Sequence, residues 1–426
     1  MSNTSVQRVM SGRLPIPWMA LWLASAMSLD AATYTWTRGS AAWDDTTTAN
    51  WSPAGIPVGQ DTVNLTLATN NDLTVTFAST NFADTNGLYQ LSIANAGTGR
   101  TTLSIGAGQT MTYGPQYDGY VLIDNGGIYD QTGGTVTNNS GVWNSGLRIY
   151  GGRYQMSGGT HYTRSHAFMG AAGKTAVLEM TGGALIGGIW GSGDGSFYES
   201  IGDTTLKLSG SALIQFAREI FVGDAGGTHR WNIDGGTIRA GYNIVQFGNT
   251  NGAGWAVVTQ TAGVVDFPGM WVLIKPTGRV LMTGGLCRYG NTDISGEFTQ
   301  TGGTFTNIYT LYVGNTPASG AGVLNWLGGS GTVCYDLRIG ANGGTGTVNQ
   351  GAGTYREFQG YSGQFHALIG GANGMGTYNL GDTNGPATNF FYSPSWSFYV
   401  TVGKTGTVRG CGRFDVLSYF WQAALD

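Results

Sequence analysis

The residues best suited to chemistry lie in one stretch. Ile201-Gly202-Asp203 and Val222-Gly223-Asp224 share one form, and Phe247-Gly248-Asn249 follows in kind. If these triplets occupy one place in successive layers, Asp203 and Asp224 face each other across a single layer spacing. Two carboxylates that close can hold a divalent cation, Ca2+ foremost, or share a proton. Arg218 and Arg230 lie near in sequence, with Glu199 and Glu219. A carboxylate base beside a guanidinium is what abstraction of the C5 proton of a uronic acid requires. Asp, Asn and Gly are equally the residues of a solvated turn, so the column carries two readings.

Other groups offer less. Trp36, Trp43 and Trp51 fall within sixteen residues near the start. They suit either an aromatic platform for a sugar ligand or a cap over an open sheet edge, and the cap is the expected use. The four histidines (161, 166, 229 and 366) show no metal-ligand spacing. His161 falls in an inward column, where a half-buried, hydrogen-bonded histidine is expected. Gly191-Ser192-Gly193-Asp194-Gly195 is similar to a calcium-binding turn but lacks the tandem repeat of such turns. Of three cysteines, Cys287 belongs to an inward column and Cys334 lies two repeats on, about 9.6 Å along a stack. That exceeds the ~7 Å Cα separation a disulfide allows. Cys411 sits in a Gly-Cys-Gly turn. No phosphate loop, dinucleotide fingerprint or nucleophile elbow is present.

These groups must be positioned by a repeat. Phe298-Thr299-Gln300-Thr301-Gly302-Gly303-Thr304-Phe305 has close copies starting at Tyr129, Leu178 and Trp231. Looser copies begin at Tyr154, Leu206, Val258, Val280, Leu324, Val348 and Tyr378. From Tyr129 to Tyr378 is 249 residues over ten intervals, about 25 per repeat, a period of stacked architectures. The first column is apolar, the second mostly polar, and the third apolar or amide, the alternation of a strand with one buried face. After the glycine pair an inward column resumes through Val136, Leu185, Leu213, Ile238, Val265, Phe305 and Tyr355. A second motif, such as Leu311-Tyr312-Val313-Gly314 and Leu337-Arg338-Ile339-Gly340, lies between the Gly-Gly turns. No unit this small buries its apolar face alone, so the units stack. The expected fold is all-β: a single elongated parallel β-solenoid (β-helix) of about eleven to twelve coils with an N-terminal aromatic cap. Asn, Thr and Gln recurring in fixed columns suit hydrogen-bonded ladders.

Composition supports this. Glycine supplies 74 of 426 residues, more than twice the usual share, and charged residues only 10%, well under half of theirs. A net charge of −4 with few lysines argues against a nucleic-acid partner. Residues 1–26 read as a signal peptide, with Arg8 and Arg13 before the apolar run Ile16 to Leu23 and a small-residue Ala24-Ser25-Ala26 site. That run is too short to span a bilayer, and no later segment is long enough to be transmembrane. Residues 33–127 form the N-terminal cap and opening strands, 128–413 the solenoid repeats and 414–426 a C-terminal tail.

The opening Tyr34-Thr35-Trp36-Thr37-Arg38-Gly39, Trp43, Ala49-Asn50-Trp51-Ser52-Pro53 and Asp61-Thr62-Val63, followed by Gln-Thr-Gly-Gly-Thr repeats, resembles a known family. These are bacterial secreted surface proteins with autotransporter-associated β-strand repeats, many carrying a PEP-type sorting anchor. The resemblance covers nearly the whole mature chain. It implies a β-helical passenger or surface-matrix component. The sequence departs from the pattern at Phe414 to Trp421, with no Pro-Glu-Pro anchor and no translocator barrel. Non-covalent anchoring or a shortened reading frame is the expectation there.

The function expected is that of a non-enzymatic extracellular structural or adhesive surface protein without a cofactor, secreted or held at the cell surface. A cell-envelope or extracellular-matrix polysaccharide is the expected partner. Alternatives are a lyase-like β-helix enzyme using Asp203, Asp224, Arg218 and Arg230, and a carbohydrate-binding protein using Trp36, Trp43 and Trp51.

Overall fold

The computed structural model describes residues 31–82, 87–114, 119–140, 145–188, 195–199, 201–317, 320–359, 365–371, 373–382, 384–392, 398–417 and 421–425. The signal-like residues 1–26, the stretch Gly191 to Asp194 and Ser418 to Phe420 lie outside these. From Ala32 onward the chain packs as one unit. It is a parallel β-solenoid of about 13 turns. Each coil has three strands, called a, b and c here, as in Gly127–Gln131, Thr135–Asn138 and Gly146–Ile149. The next coil repeats them as Arg153–Met156, Thr160–Thr163 and His166–Met169, each parallel to its predecessor. Among the described residues there is no α-helix, and a 3-10 turn forms at Thr48–Asn50.

The repeat columns hold in space. Tyr129, Tyr154, Leu178, Leu206, Trp231, Val258, Val280, Phe298, Leu324, Val348 and Tyr378 are all in register on face a. Every one of them is buried. The third column, Gln131 to Leu380, is buried with them. Two further coils account for the number exceeding eleven or twelve. Leu103 pairs with Tyr129, and Val408 with Tyr378. Their corners, Gly106-Ala107-Gly108 and Gly410-Cys411-Gly412, lack the Gly-Gly-Thr signature by which coils were counted. On face b the inward column is corrected at two places. Ile214, not Leu213, lies opposite Leu185, and Arg356, not Tyr355, lies opposite Gly331. In both coils the a–b corner is one residue longer, which shifts the following strand by one position.

The a–b corner shows why two glycines recur. At Gly302 a Cβ would be driven into the Thr283 carbonyl oxygen of the coil below. Gly303 has φ +71°, a left-handed angle that side chains other than glycine rarely adopt. Where an inward glutamine precedes the corner, its amide fixes it. Gln300 Nε2 donates to its own Gly303 carbonyl (3.1 Å) and to the Ser330 carbonyl of the coil above (2.8 Å). Gln131 and Gln260 make the same two bonds in their own coils. Buried amide groups are thereby satisfied, and coil is tied to coil. Outside, the expected ladder is present. Asn349 donates to Asn325 (2.8 Å), Asn379 to Asn349 (2.6 Å) and Arg409 to Asn379 (2.6 Å).

Arg356 enters the core beside Gly331, whose missing side chain leaves the room. Its guanidinium donates to the Gly328 and Gly329 carbonyls (2.8 and 2.9 Å) and lies 5.2 Å from the Trp326 ring. Burial pulls it down to about 10 from the ordinary arginine value.

Gly302→Ala is expected to destabilise the protein by several kcal/mol, since backbone carbonyls cannot move aside in a packed stack. Gly106→Ala meets open space and is expected to change stability by less than about 0.5 kcal/mol. Denaturant unfolding of both variants checks this, and equal effects would refute the steric account.

Candidate functional site

The structure does not bring the acidic column together. Val222 lies opposite Glu199 and Phe247 opposite Val222, whereas Asp203 begins an a-strand opposite Thr175. The two triplets are therefore offset by two residues, and Asp203 shares its place with Thr228, not with Asp224. Asp203 Oδ1 accepts the Thr228 backbone N–H (2.9 Å), and Asp224 Oδ1 accepts from Gln246 Nε2 (2.9 Å). Arg218 stands at a b–c corner and pairs with Glu219 (3.8 Å). Arg230 points outward from face a and is exposed. Asp203 lines an open hollow of about 410 Å³ with Lys174, Thr175, Ile201 and Gly226. Lys174 in turn binds Asp124 (2.7 Å). Each carboxylate is thus engaged in holding its own corner. Among the described residues no group of three or more metal-ligating side chains comes together.

The inward residue of that column is Glu199, fully buried. Its Oε1 accepts from Trp231 Nε1 (2.9 Å) and its Oε2 from Thr204 Oγ (2.8 Å). Thr204 Oγ is also 2.9 Å from His229 Nδ1, and His229 Nε2 donates to the Gly226 carbonyl (2.9 Å). His229 Nδ1 stands 3.5 Å from Glu199. This core network escaped the sequence reading, although the order Phe197-Tyr198-Glu199 already turns the carboxylate inward by alternation.

A second buried cluster surrounds His161. Tyr113 Oη lies 3.0 Å from its Nε2 and Tyr154 Oη 3.1 Å from its Nδ1. Burial lowers the imidazole from its ordinary value to about 3, and raises the phenols of Tyr113, Tyr129 and Tyr154. Cys287 is buried between Val265 and Phe305 in the inward column. Burial pushes its thiol up, and that of Cys334 up to about 11. None of the three cysteines is in a disulfide.

Trp36, Trp43 and Trp51 come together, but inward. Trp51 meets Trp36 and Trp43 edge to face at 4.9 and 5.1 Å, and Phe77 and Phe82 complete the cluster around Trp43. All three indoles are at most 3% exposed, so their faces are not open to a ligand. The segment Trp51–Ser52 pairs antiparallel with Thr33–Trp36 and covers that edge. The outer surface of face c carries a different array. Phe168, Tyr198 and Phe221 stack in successive coils at 5.5 and 5.4 Å. Arg148, in the coil below, lies 4.1 Å from the Tyr120 ring.

Together these features define a β-solenoid repeat protein. A scan against family models, a search of curated proteins and a search of solved structures each found no match. The likeness drawn from the Gly-Gly-Thr corners therefore stands at the level of β-solenoid architecture. Among the described residues no helix is long and apolar enough to cross a membrane.

Two outcomes follow. Below pH 6.5 the unfolded chain protonates His161, while the folded protein leaves it neutral down to about 3. Its contribution is complete above 6.5 and falls by about 1.4 kcal/mol per pH unit as pH drops through that window. His161→Gln should flatten stability against pH between 6 and 4 relative to wild type, and an unchanged slope would contradict the assignment. Trp231→Phe removes a donor from a buried carboxylate and should cost about 1–3 kcal/mol in denaturant unfolding.

Proposed function

We propose that this chain is a non-catalytic, extracellular β-helical surface protein with a structural or adhesive role. The observation that carries this reading is the use made of its polar groups. Asp124 binds Lys174 two coils on, Glu179 binds Arg153, and Asp266 holds Arg288 through two bonds of 2.7 and 2.9 Å. The Asn325–Asn349–Asn379 ladder does likewise. Side chains that an enzyme would aim at a substrate are directed along the stack instead. The register keeps Asp203 from standing over Asp224. A signal-like leader before the first strand supports export, and a cell-envelope or matrix polysaccharide suits a long, weakly charged surface.

The test is to incubate the mature chain with polygalacturonate, alginate and other uronic polysaccharides, with and without Ca2+, following absorbance of the unsaturated elimination product. No turnover is expected. Turnover abolished by Asp203→Ala or Asp224→Ala would replace the structural role with a lyase.

A further inference from the structure

Six large aromatic side chains are exposed among the described residues: Tyr162, Tyr242, Trp255, Trp271, Tyr309 and Tyr335. Four of them share one edge of the solenoid, where face b turns into face c. Ile244, Trp271 and Asn291 are in register, Tyr309 N–H donates to the Gly290 carbonyl, and Thr310 pairs with Asp336. Tyr242, Trp271, Tyr309 and Tyr335 therefore fall within one residue of a single column over five consecutive coils. At about 4.8 Å per coil the row spans about 19 Å. Their exposures are 70%, 43%, 42% and 37%. Each of these rings forgoes the stabilisation that burial would give it.

We propose that this edge binds a neutral polysaccharide, one polymer strand lying along the coil stack. The proposal rests on the adhesive reading above and gives it a location and a ligand class. The face of a pyranose ring presents C–H groups of slight positive charge, which match the negative face of an aromatic ring. Its hydroxyls match side-chain amides and phenols, and Asn243 and Asn291 lie in the row itself. Trp271 is fixed in advance, since it stacks on Tyr312 with centroids 6.2 Å apart and an interplanar angle of 15°. Arg338 lies 5.7 Å from the Tyr312 ring. Rigid aromatic side chains lose little conformational entropy on binding.

The charges at the edge select a neutral polymer. Arg338 is paired with Asp336 (2.8 Å) and Arg218 with Glu219 (3.8 Å). Asn243 Nδ2 also donates to Glu219. A uronic polymer would require a surplus of positive charge along its path. A bilayer would favour apolar side chains rimmed by lysine and arginine. Phenols and amides between closed ion pairs fit a hydroxyl-rich, uncharged strand.

The test is native gel electrophoresis of the full mature chain through gels containing hydroxyethylcellulose, glucomannan, dextran or, for comparison, polygalacturonate. Retardation is expected in at least one neutral polymer and not in polygalacturonate. Trp271→Ala and Tyr309→Ala should each weaken binding about tenfold. Tyr162→Ala, an exposed tyrosine on face b, should leave it unchanged. Thermal midpoints of all three variants should match the wild type, since the residues point outward. The proposal is overturned if no neutral polymer retards the protein, or if retardation survives the Trp271→Ala/Tyr309→Ala double variant. Phosphatidylglycerol vesicle binding or self-association lost in that double variant would assign the edge to a bilayer or to a second copy, and would also overturn it. None of these failures touches the non-catalytic reading, which the elimination assay decides separately.

Discussion

The structure depends on stacking identical corners without side chains between them. At the a–b corners of Gly182, Gly284, Gly302 and Gly328 the carbonyl of one coil lies where a Cβ of the next would go, so the first glycine of those pairs resists substitution at constant coil spacing. The second takes the left-handed angle that redirects the chain onto face b. Once the corner is fixed, alternation does the rest: each strand leaves it with its apolar residues facing in. In the coils that have one, as at Gln131, Gln260 and Gln300, a buried glutamine joins these levels, because its amide closes its own corner and reaches the next coil's strand. Sequence, turn geometry and core packing thus meet in five residues, Gln300 to Thr304, and their copies.

Much of this was legible before any coordinates. All eleven members of the first a-face column were read correctly from the repeat, and so was the amide ladder outside. What failed was reading across corners of unequal length. Ser209-Gly210-Ser211-Ala212 and Gly351-Ala352-Gly353-Thr354 each carry one residue more than Thr301-Gly302-Gly303, and one residue exchanges the two faces of a strand. Asp203 and Asp224 were paired by their local triplets for the same reason: a triplet says nothing about where the preceding strand ended. The number of strands per coil was hidden too. Strands b and c are only three to five residues long in most coils, and the b–c connections vary from two residues to nine.

That variation has a consequence for where a ligand surface can arise. The a–b corner leaves little room for side chains in its tightest position, so it is built from small residues in coil after coil. The b–c corner is free of that constraint, and large residues such as Tyr242 and Tyr309 stand there without opposing the stack. A solenoid can therefore diversify one edge while keeping its core constant. The flat faces between are occupied by ladders that tie coils together. By residue type alone Trp36, Trp43 and Trp51 suit either a sugar platform or a cap over an open edge, and the cap expected of them is what the structure shows. Burial separates the two uses: indoles at a solenoid end are covering material, whereas a tyrosine row on an edge has nothing to cover.

Near-identical repeats raise a further problem, since a coil that fits one neighbour fits others almost as well. Apolar columns of Leu, Val and Ile would do little to prevent a coil from docking at the wrong level. The core answers with polar clusters that occur once each. His161 bridges Tyr113 and Tyr154; Glu199 gathers Thr204, His229 and Trp231; Thr292 binds Asn307 (2.6 Å); Tyr378 joins Gln350 and Asn389. Each contains groups from at least two coils and is satisfied only at its own level. Misplacing one coil would bury a carboxylate, amide or phenol without a partner, at about 1–3 kcal/mol for a neutral group and more for a charged one. A buried polar group is weak evidence for stability in itself, but it discriminates strongly between registers. In a repeat stack, these buried exceptions favour the native register at the coils that hold them.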